Sequence, residues 1–129
     1  LRLAEVLRVL ADGTRLRIVN LLLRGELCVC EIEVLLDINQ SNASRHLSRL
    51  KNAGIIKGEK QAQWVHYCLD ERFKADNPEL YSYLQEQLGR TAQCSGDIEK
   101  LERYKNSGFT CEHISADKER VSGYLEGAE

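Results

Sequence analysis

The stretch NQSNASRHLSRLKNAGIIKGEKQAQWVHYCL, residues 39–69, decides how the rest of the chain is read. Its first half carries one apolar face: Ala43, Leu47 and Leu50 recur at helical spacing, while Gln40, Ser41, Ser44, Arg45 and Arg49 fall on the other side. Asn39 is placed to cap such a helix, because its side-chain oxygen can accept from a first-turn amide that has no helical partner, and Gly54 supplies a left-handed stop. The second half changes period. From Trp64 onward Trp64, His66 and Cys68 share one face and Val65, Tyr67 and Leu69 the other, which predicts a two-stranded hairpin with its tip near residues 60–63.

Working upstream, Leu3, Val6, Leu7 and Leu10 predict a first helix over residues 1–11. Asp12 caps a second, with Leu16, Val19, Leu22 and Leu23 on its apolar side and Gly25 at its end. Leu27, Ile32, Leu35 and Leu36 make a third, short helix that the sequence DIN at 37–39 breaks. Two short helices joined by a tight turn and followed by a hairpin form a winged helix-turn-helix, whose second helix enters the major groove of DNA. The fold class expected is therefore mainly α with a small β-hairpin.

The side chains suit that role. Gln40 and Asn42 can pair with adenine edges, Arg45 and Arg49 with guanine or phosphate, and Ser41, Ser44 and His46 with phosphate oxygens, while Lys57 and Lys60 on the hairpin reach the flanking backbone or minor groove. Charge distribution agrees: the chain is -2 in total, yet residues 40–63 hold Arg45, Arg49, Lys51, Lys57 and Lys60 against Glu59 alone. A merely solvated helix face is the plain alternative; the cap, the preceding helix and the hairpin together favour double-stranded DNA.

A chain of 129 residues, 43% hydrophobic, is enough for one modest core. No apolar run is long enough to cross a bilayer and no secretory pattern opens the sequence, so a cytoplasmic protein without a membrane partner is expected. Pro78 opens a fifth helix in which Leu80, Tyr81, Leu84 and Leu88 recur, and helical pattern returns over residues 97–106 and 115–126. The five cysteines, at 28, 30, 68, 94 and 111, are too sparse for a disulfide scaffold and read as reduced thiols for sensing or metal binding, or as small buried hydrophobes.

The stretches LADGTRLRIVNLLL, GELCVCEI, NQSNASRHLSRLKNAGII and QWVHYCL, in that order over roughly residues 1–90, resemble the ArsR/SmtB family of metal-sensing winged-helix repressors. The resemblance implies a homodimer, paired through its first and fifth helices, that covers an inverted-repeat operator and releases it when an inducer binds. ELCVC at residues 26–30 is similar to the signature of the arsenic and antimony sensors, which implies As(III) or Sb(III) as inducer and Cys28 and Cys30 as ligands. Those sensors commonly continue as C-x-C-x-x-C, but Glu33 stands at the third position here. The completing thiol must come from elsewhere: Cys94 and Cys111, in a C-terminal helical extension over 91–129, are the candidates, whereas packing or exposure accounts for Cys68. The family's zinc pairs, Asp-x-His and His-x-x-Glu, are absent from residues 79–92. Alternatives on the same fold are a redox or persulfide sensor bridging to Cys94 or Cys111, and a cadmium or lead sensor. A thiol enzyme is disfavoured, because the chain has no C-x-x-C and no nucleophile with a base and orienting acid nearby in sequence.

Two mechanistic expectations follow. Positions i and i+2 of a regular helix diverge by about 200°, so a common ligand for Cys28 and Cys30 should unwind the head of the third helix and so shift the reading helix. The same helix N-terminus should also lower the thiol pKa values.

Overall fold

The computed structural model describes residues 1–127. Helix α1 spans Arg2–Leu10 and α2 spans Gly13–Leu22, the latter opened by Asp12, whose side chain accepts from the Arg15 amide at 3.0 Å. The helix-turn-helix pair is α3, Val29–Leu36, and α4, Gln40–Asn52. The turn between them is tight because Asp37 adopts a left-handed conformation, φ 56°, which short polar side chains tolerate. Asn39 then caps α4 by accepting from the Asn42 amide at 2.8 Å, and Gly54, φ 78°, ends it.

The wing is β2, Ile56–Gln61, paired antiparallel with β3, Trp64–Leu69, around a turn at Ala62 and Gln63. Gly58 faces Tyr67 across this ladder, and a Cβ there would stand 2.9 Å from the tyrosine ring, so the close approach requires glycine. A third strand was not expected from the sequence. Residues Leu27–Cys28 form β1, which lies on the other edge of β3 with Leu27 opposite Tyr67 and Cys28 opposite His66. Two residues carry no alternation to read, and their local pattern runs on into the helix that follows.

Beyond the wing, α5, Glu71–Asp76, and α6, Pro78–Gly89, precede the extension, made of α7, Ala92–Ser107, α8, Cys111–Ala116, and α9, Lys118–Leu125. The extension does not stand apart. Leu101, Tyr104, Ile114, Val121 and Leu125 bury themselves in the same core as Ile18, Leu21, Ile32, Leu35, Leu47 and Leu50. Three polar links reinforce that docking. Arg17 of α2 donates twice to the buried Asp97 at 2.7 and 2.9 Å, Asn20 donates to the Cys94 carbonyl at 3.2 Å, and Lys118 donates to the buried Glu33 at 2.9 Å. Glu33 is thus spent as an ionic anchor for α9, in the position where the resemblance would place a third cysteine. No helix among the described residues is long and apolar enough to cross a membrane.

Candidate thiol site and reading helix

The docking of the extension brings α8 onto the head of α3, and with it a third sulfur. The Sγ atoms of Cys28, Cys30 and Cys111 all lie within 4.8 Å of one another. Cys111 Sγ donates to Cys28 Sγ at 2.8 Å, across 83 residues of chain. Three sulfurs held ~2.3 Å from one central atom would stand ~3.5 Å apart, so little rearrangement separates this trio from a three-thiol ligand set.

Cys28 is not on the helix. It is the N-cap of α3 with an extended backbone, φ -82° and ψ 164°, and Cys30 is the second helical residue. The expected 200° divergence therefore does not arise, and the expected unwinding of the turn is corrected: a bend in the chain already converges the two thiols. Glu31 fixes that bend. Its carboxylate accepts from the Cys28 amide at 2.8 Å and, through its other oxygen, from the Tyr104 hydroxyl of α7 at 2.5 Å. Sequence reading missed both partners. A C-x-x-E spacing is the signature of a reciprocal cap, but cysteine is not a usual cap residue, so the signal was hidden.

The electrostatic expectation is also corrected. Burial pushes the thiols of Cys28, Cys30 and Cys111 each up to about 12, outweighing any helix-terminus effect, with the Glu31 carboxylate acting in the same direction. Tyr104 is driven well above its ordinary value by burial and by its hydrogen bond to Glu31. The resting site is a neutral cluster of protonated thiols. His66 of β3 flanks it, with ring nitrogens 3.6 and 3.7 Å from Cys28 Sγ.

Cys94 is not brought to the trio: it is buried where α7 meets α2, and its thiol is raised by burial. The structure leaves that candidate ligand as a packed core residue, because the turn of α7 that holds it lies beside Asn20, not α3. Cys68 sits half-buried on β3 opposite Lys57, outside the trio as well.

The outward face of α4 is open to solvent. Gln40, Ser41, Ser44, Arg45 and Arg49 of α4 are exposed, as are Lys57 and Lys60 of the wing, while Asn42 is half-buried and accepts from Arg45 at 2.7 Å. His46 departs from the expectation. It is buried, its Nδ1 is 3.1 Å from the Arg15 guanidinium, and burial lowers its pKa, so its side chain belongs to the α2–α4 contact and not to the exposed face.

The sequence pattern of the arsR family of bacterial regulatory proteins matches residues 12–57, which run from the cap of α2 through α3 and α4 into the wing. The chain is 36% identical over 110 residues to the arsenical resistance operon repressor of Escherichia coli, covering 75% of this chain and 92% of that protein. The chain belongs to the arsR family. It is 40% identical over 92 residues to the arsenic resistance transcriptional regulator ArsR2 of Pseudomonas putida, covering 70% of this chain and 74% of that one. Among solved structures it resembles the homodimeric winged helix-turn-helix DNA-binding domain of Mb0332, a possible ArsR-family regulator from Mycobacterium bovis, at TM-score 0.58 and 28% identity over 67% of this chain and 80% of that one. As an arsR-family chain it is a transcriptional regulator of winged-helix fold, as the reading pair predicts, and its relatives are not enzymes. The family match includes Cys28 and Cys30 but stops short of Cys111, so the third sulfur is a contribution of the extension.

Proposed function

We propose that this arsR-family protein is a homodimeric repressor that covers an inverted-repeat operator with α4 and the wing and lets go when As(III) or Sb(III) is captured by Cys28, Cys30 and Cys111. The observation that carries this reading is the convergence of three thiols, from β1, α3 and α8 of one subunit, within 4.8 Å. Residues 1–90 would read DNA and dimerise, and 91–129 would complete the inducer site. Exposed apolar side chains on α1, Leu3 and Leu7, and Tyr83 on α6 support pairing through those two helices. The arsenic-resistance names of the Escherichia coli and Pseudomonas putida relatives support the choice of inducer.

Charge balance favours a metalloid over a divalent cation. Arsenous acid is neutral, and when three thiols replace its three hydroxyls, each S–H proton leaves with a hydroxide as water and the adduct is again neutral. A divalent ion on the same trio must expel three protons to bulk water and leaves a net negative charge in a buried space, which burial opposes. A second reading rests on the 2.8 Å Cys28–Cys111 contact: a hydroperoxide can oxidise these two thiols to a disulfide, itself reduced to water and, for hydrogen peroxide, a second water.

Gel-shift titration of the operator complex with arsenite separates the two. Cys28→Ser, Cys30→Ser and Cys111→Ser should each keep operator affinity and lose arsenite release by about a hundredfold or more. An unchanged arsenite midpoint in Cys111→Ser rejects the trio. Release by peroxide with no response to arsenite or antimonite selects the redox reading.

A further inference from the structure

The thiol trio and the wing share a sheet, and the side chain at their junction is His66. Cys28 ends β1 opposite His66 of β3; on the other edge of β3, Glu59 of β2 faces the same residue. Lys57 and Lys60 lie on β2 opposite Cys68 and Val65, within two positions of that rung on either side. The imidazole packs against Cys28 Sγ through both nitrogens, at 3.6 and 3.7 Å, yet the cluster of close donors among the described residues comprises only the three thiols. His66 therefore stands outside the ligand set, on the Cys28 side of it.

Resting on the trio reading above, we propose that His66 is the positioning residue that carries inducer capture at Cys28 into the wing. Cys28 has an extended backbone in a two-residue strand, its amide tied to Glu31, so of the two neighbouring thiols it is the one that lies on the sheet beside β3. Gathering three sulfurs to a common separation of ~3.5 Å moves Cys28 Sγ away from Cys111 Sγ, now 2.8 Å distant, and the ring packed against that sulfur is His66. A shift of His66 is a shift of β3, and β3 is the strand on which the whole of β2, with its two lysines, is hydrogen-bonded. The wing then loses its place on the DNA backbone while α4 stays intact. The two sites are coupled through the β1–β3–β2 ladder, and the coupling is a free energy separable from either binding step.

The test uses the full chain, arsenite as probe, and three readouts: arsenite binding to the free protein, operator affinity with and without arsenite, and the emission of Trp64, the chain's single tryptophan, two residues from His66 on β3. His66→Ala should bind arsenite and, without it, operator much as wild type does, but the arsenite-induced loss of operator affinity should shrink by at least about tenfold. His66→Gln, which keeps a polar nitrogen at similar reach, should restore part of it. Wild-type Trp64 emission should change on saturation with arsenite, and that of His66→Ala should not. Full release from His66→Ala overturns the proposal, as does a fall in its arsenite affinity as large as its loss of release, which would make His66 part of the binding site. Should His66→Ala fail to fold, the wild-type Trp64 signal decides, and an unmoved emission at saturation overturns it. If wild type binds no arsenite even without DNA, the trio reading itself falls first, and visibly so.

Discussion

The face of α4 and the thiol trio solve opposite physical problems. The reading face consists of exposed polar and cationic side chains, held in place by an apolar stripe that the same thirteen-residue helix buries. The trio is uncharged, with Cys28 and Cys111 buried and Cys30 half-buried, and its three sulfurs come from segments up to 83 residues apart. DNA recognition needs charge kept in water until a phosphate arrives, whereas capture of a neutral metalloid needs uncharged thiols kept from water. The contrast means that the two regions should respond differently to protons, to substitutions in the extension, and to loss of surface cations.

The largest difference is expected with pH. Because burial holds all three thiols up to about 12, they remain protonated through the neutral range. A divalent cation that binds them must release their protons, so cadmium affinity should rise steeply with pH, by up to ~3 decades per unit if all three leave. Arsenite binding releases water instead, and its affinity should stay nearly flat from about pH 6 to about pH 8. Isothermal titration in two buffers of different protonation enthalpy reads the proton count directly. Proton uptake on arsenite binding, with cadmium releasing none, would mean the trio is already ionised, and the contrast with the face of α4 would collapse.

Next in size is the anchor of α7. Asp97 is buried and accepts twice from Arg17, so Asp97→Asn leaves a guanidinium short of its counter-charge and should cost about 3 kcal/mol of stability in chemical denaturation. Arsenite affinity should fall with it, since the helix that carries Tyr104 to Glu31 is loosened. Operator affinity of the protein that remains folded should hold, because Arg17 and Asp97 bond each other and neither is hydrogen-bonded to α4. If operator affinity fell as far as arsenite affinity, the extension would be part of the reading surface.

How much of this was legible differs between the two regions for a physical reason. α4, its Asn39 cap, its Gly54 stop and the hairpin are written in local period and local capping, and all stand in the structure where the pattern places them. His46 escaped because side-chain type does not report on which of two adjacent faces a borderline helical position lies. In the thiol region the local pattern misled: Leu27 and Cys28 look like the start of the helix that follows, but pairing with Tyr67 and His66 draws them into a strand. Cys94 and Cys111 could not be told apart because the choice depends on which turn of the extension meets α3, and no local signal encodes that. The resemblance marks Glu33 only as a missing ligand; its partner Lys118, 85 residues away, gives it a positive role.

Of intermediate size is Arg45→Ala on the exposed face. It should weaken operator binding by about 1–3 kcal/mol, relax sequence preference at one position if Arg45 meets a base, or reduce the salt dependence by about one charge if it meets phosphate. Its arsenite stoichiometry should not move. An unchanged operator affinity at fixed salt would remove α4 as the reader.

The smallest effect is expected at Lys118. Its ammonium bonds Glu33 at 2.9 Å, but the lysine is 45% exposed, so water screens the pair and the attraction lost in Lys118→Ala is less than ~1 kcal/mol. The carboxylate it leaves behind is only 11% exposed, however, and a buried acceptor without its donor is the costlier half of the change. Glu33→Gln with Lys118→Ala should therefore be less destabilised than the sum of the two single variants, and a double-mutant cycle followed by thermal unfolding measures that difference. Arsenite affinity should fall only a few fold in Lys118→Ala, because α8 is also held by Cys111, Ile114 and the buried face of α9. A loss as large as that of Asp97→Asn would show that the extension hangs on α9 and not on α7, and that the third sulfur is delivered by the surface pair and not by the buried one.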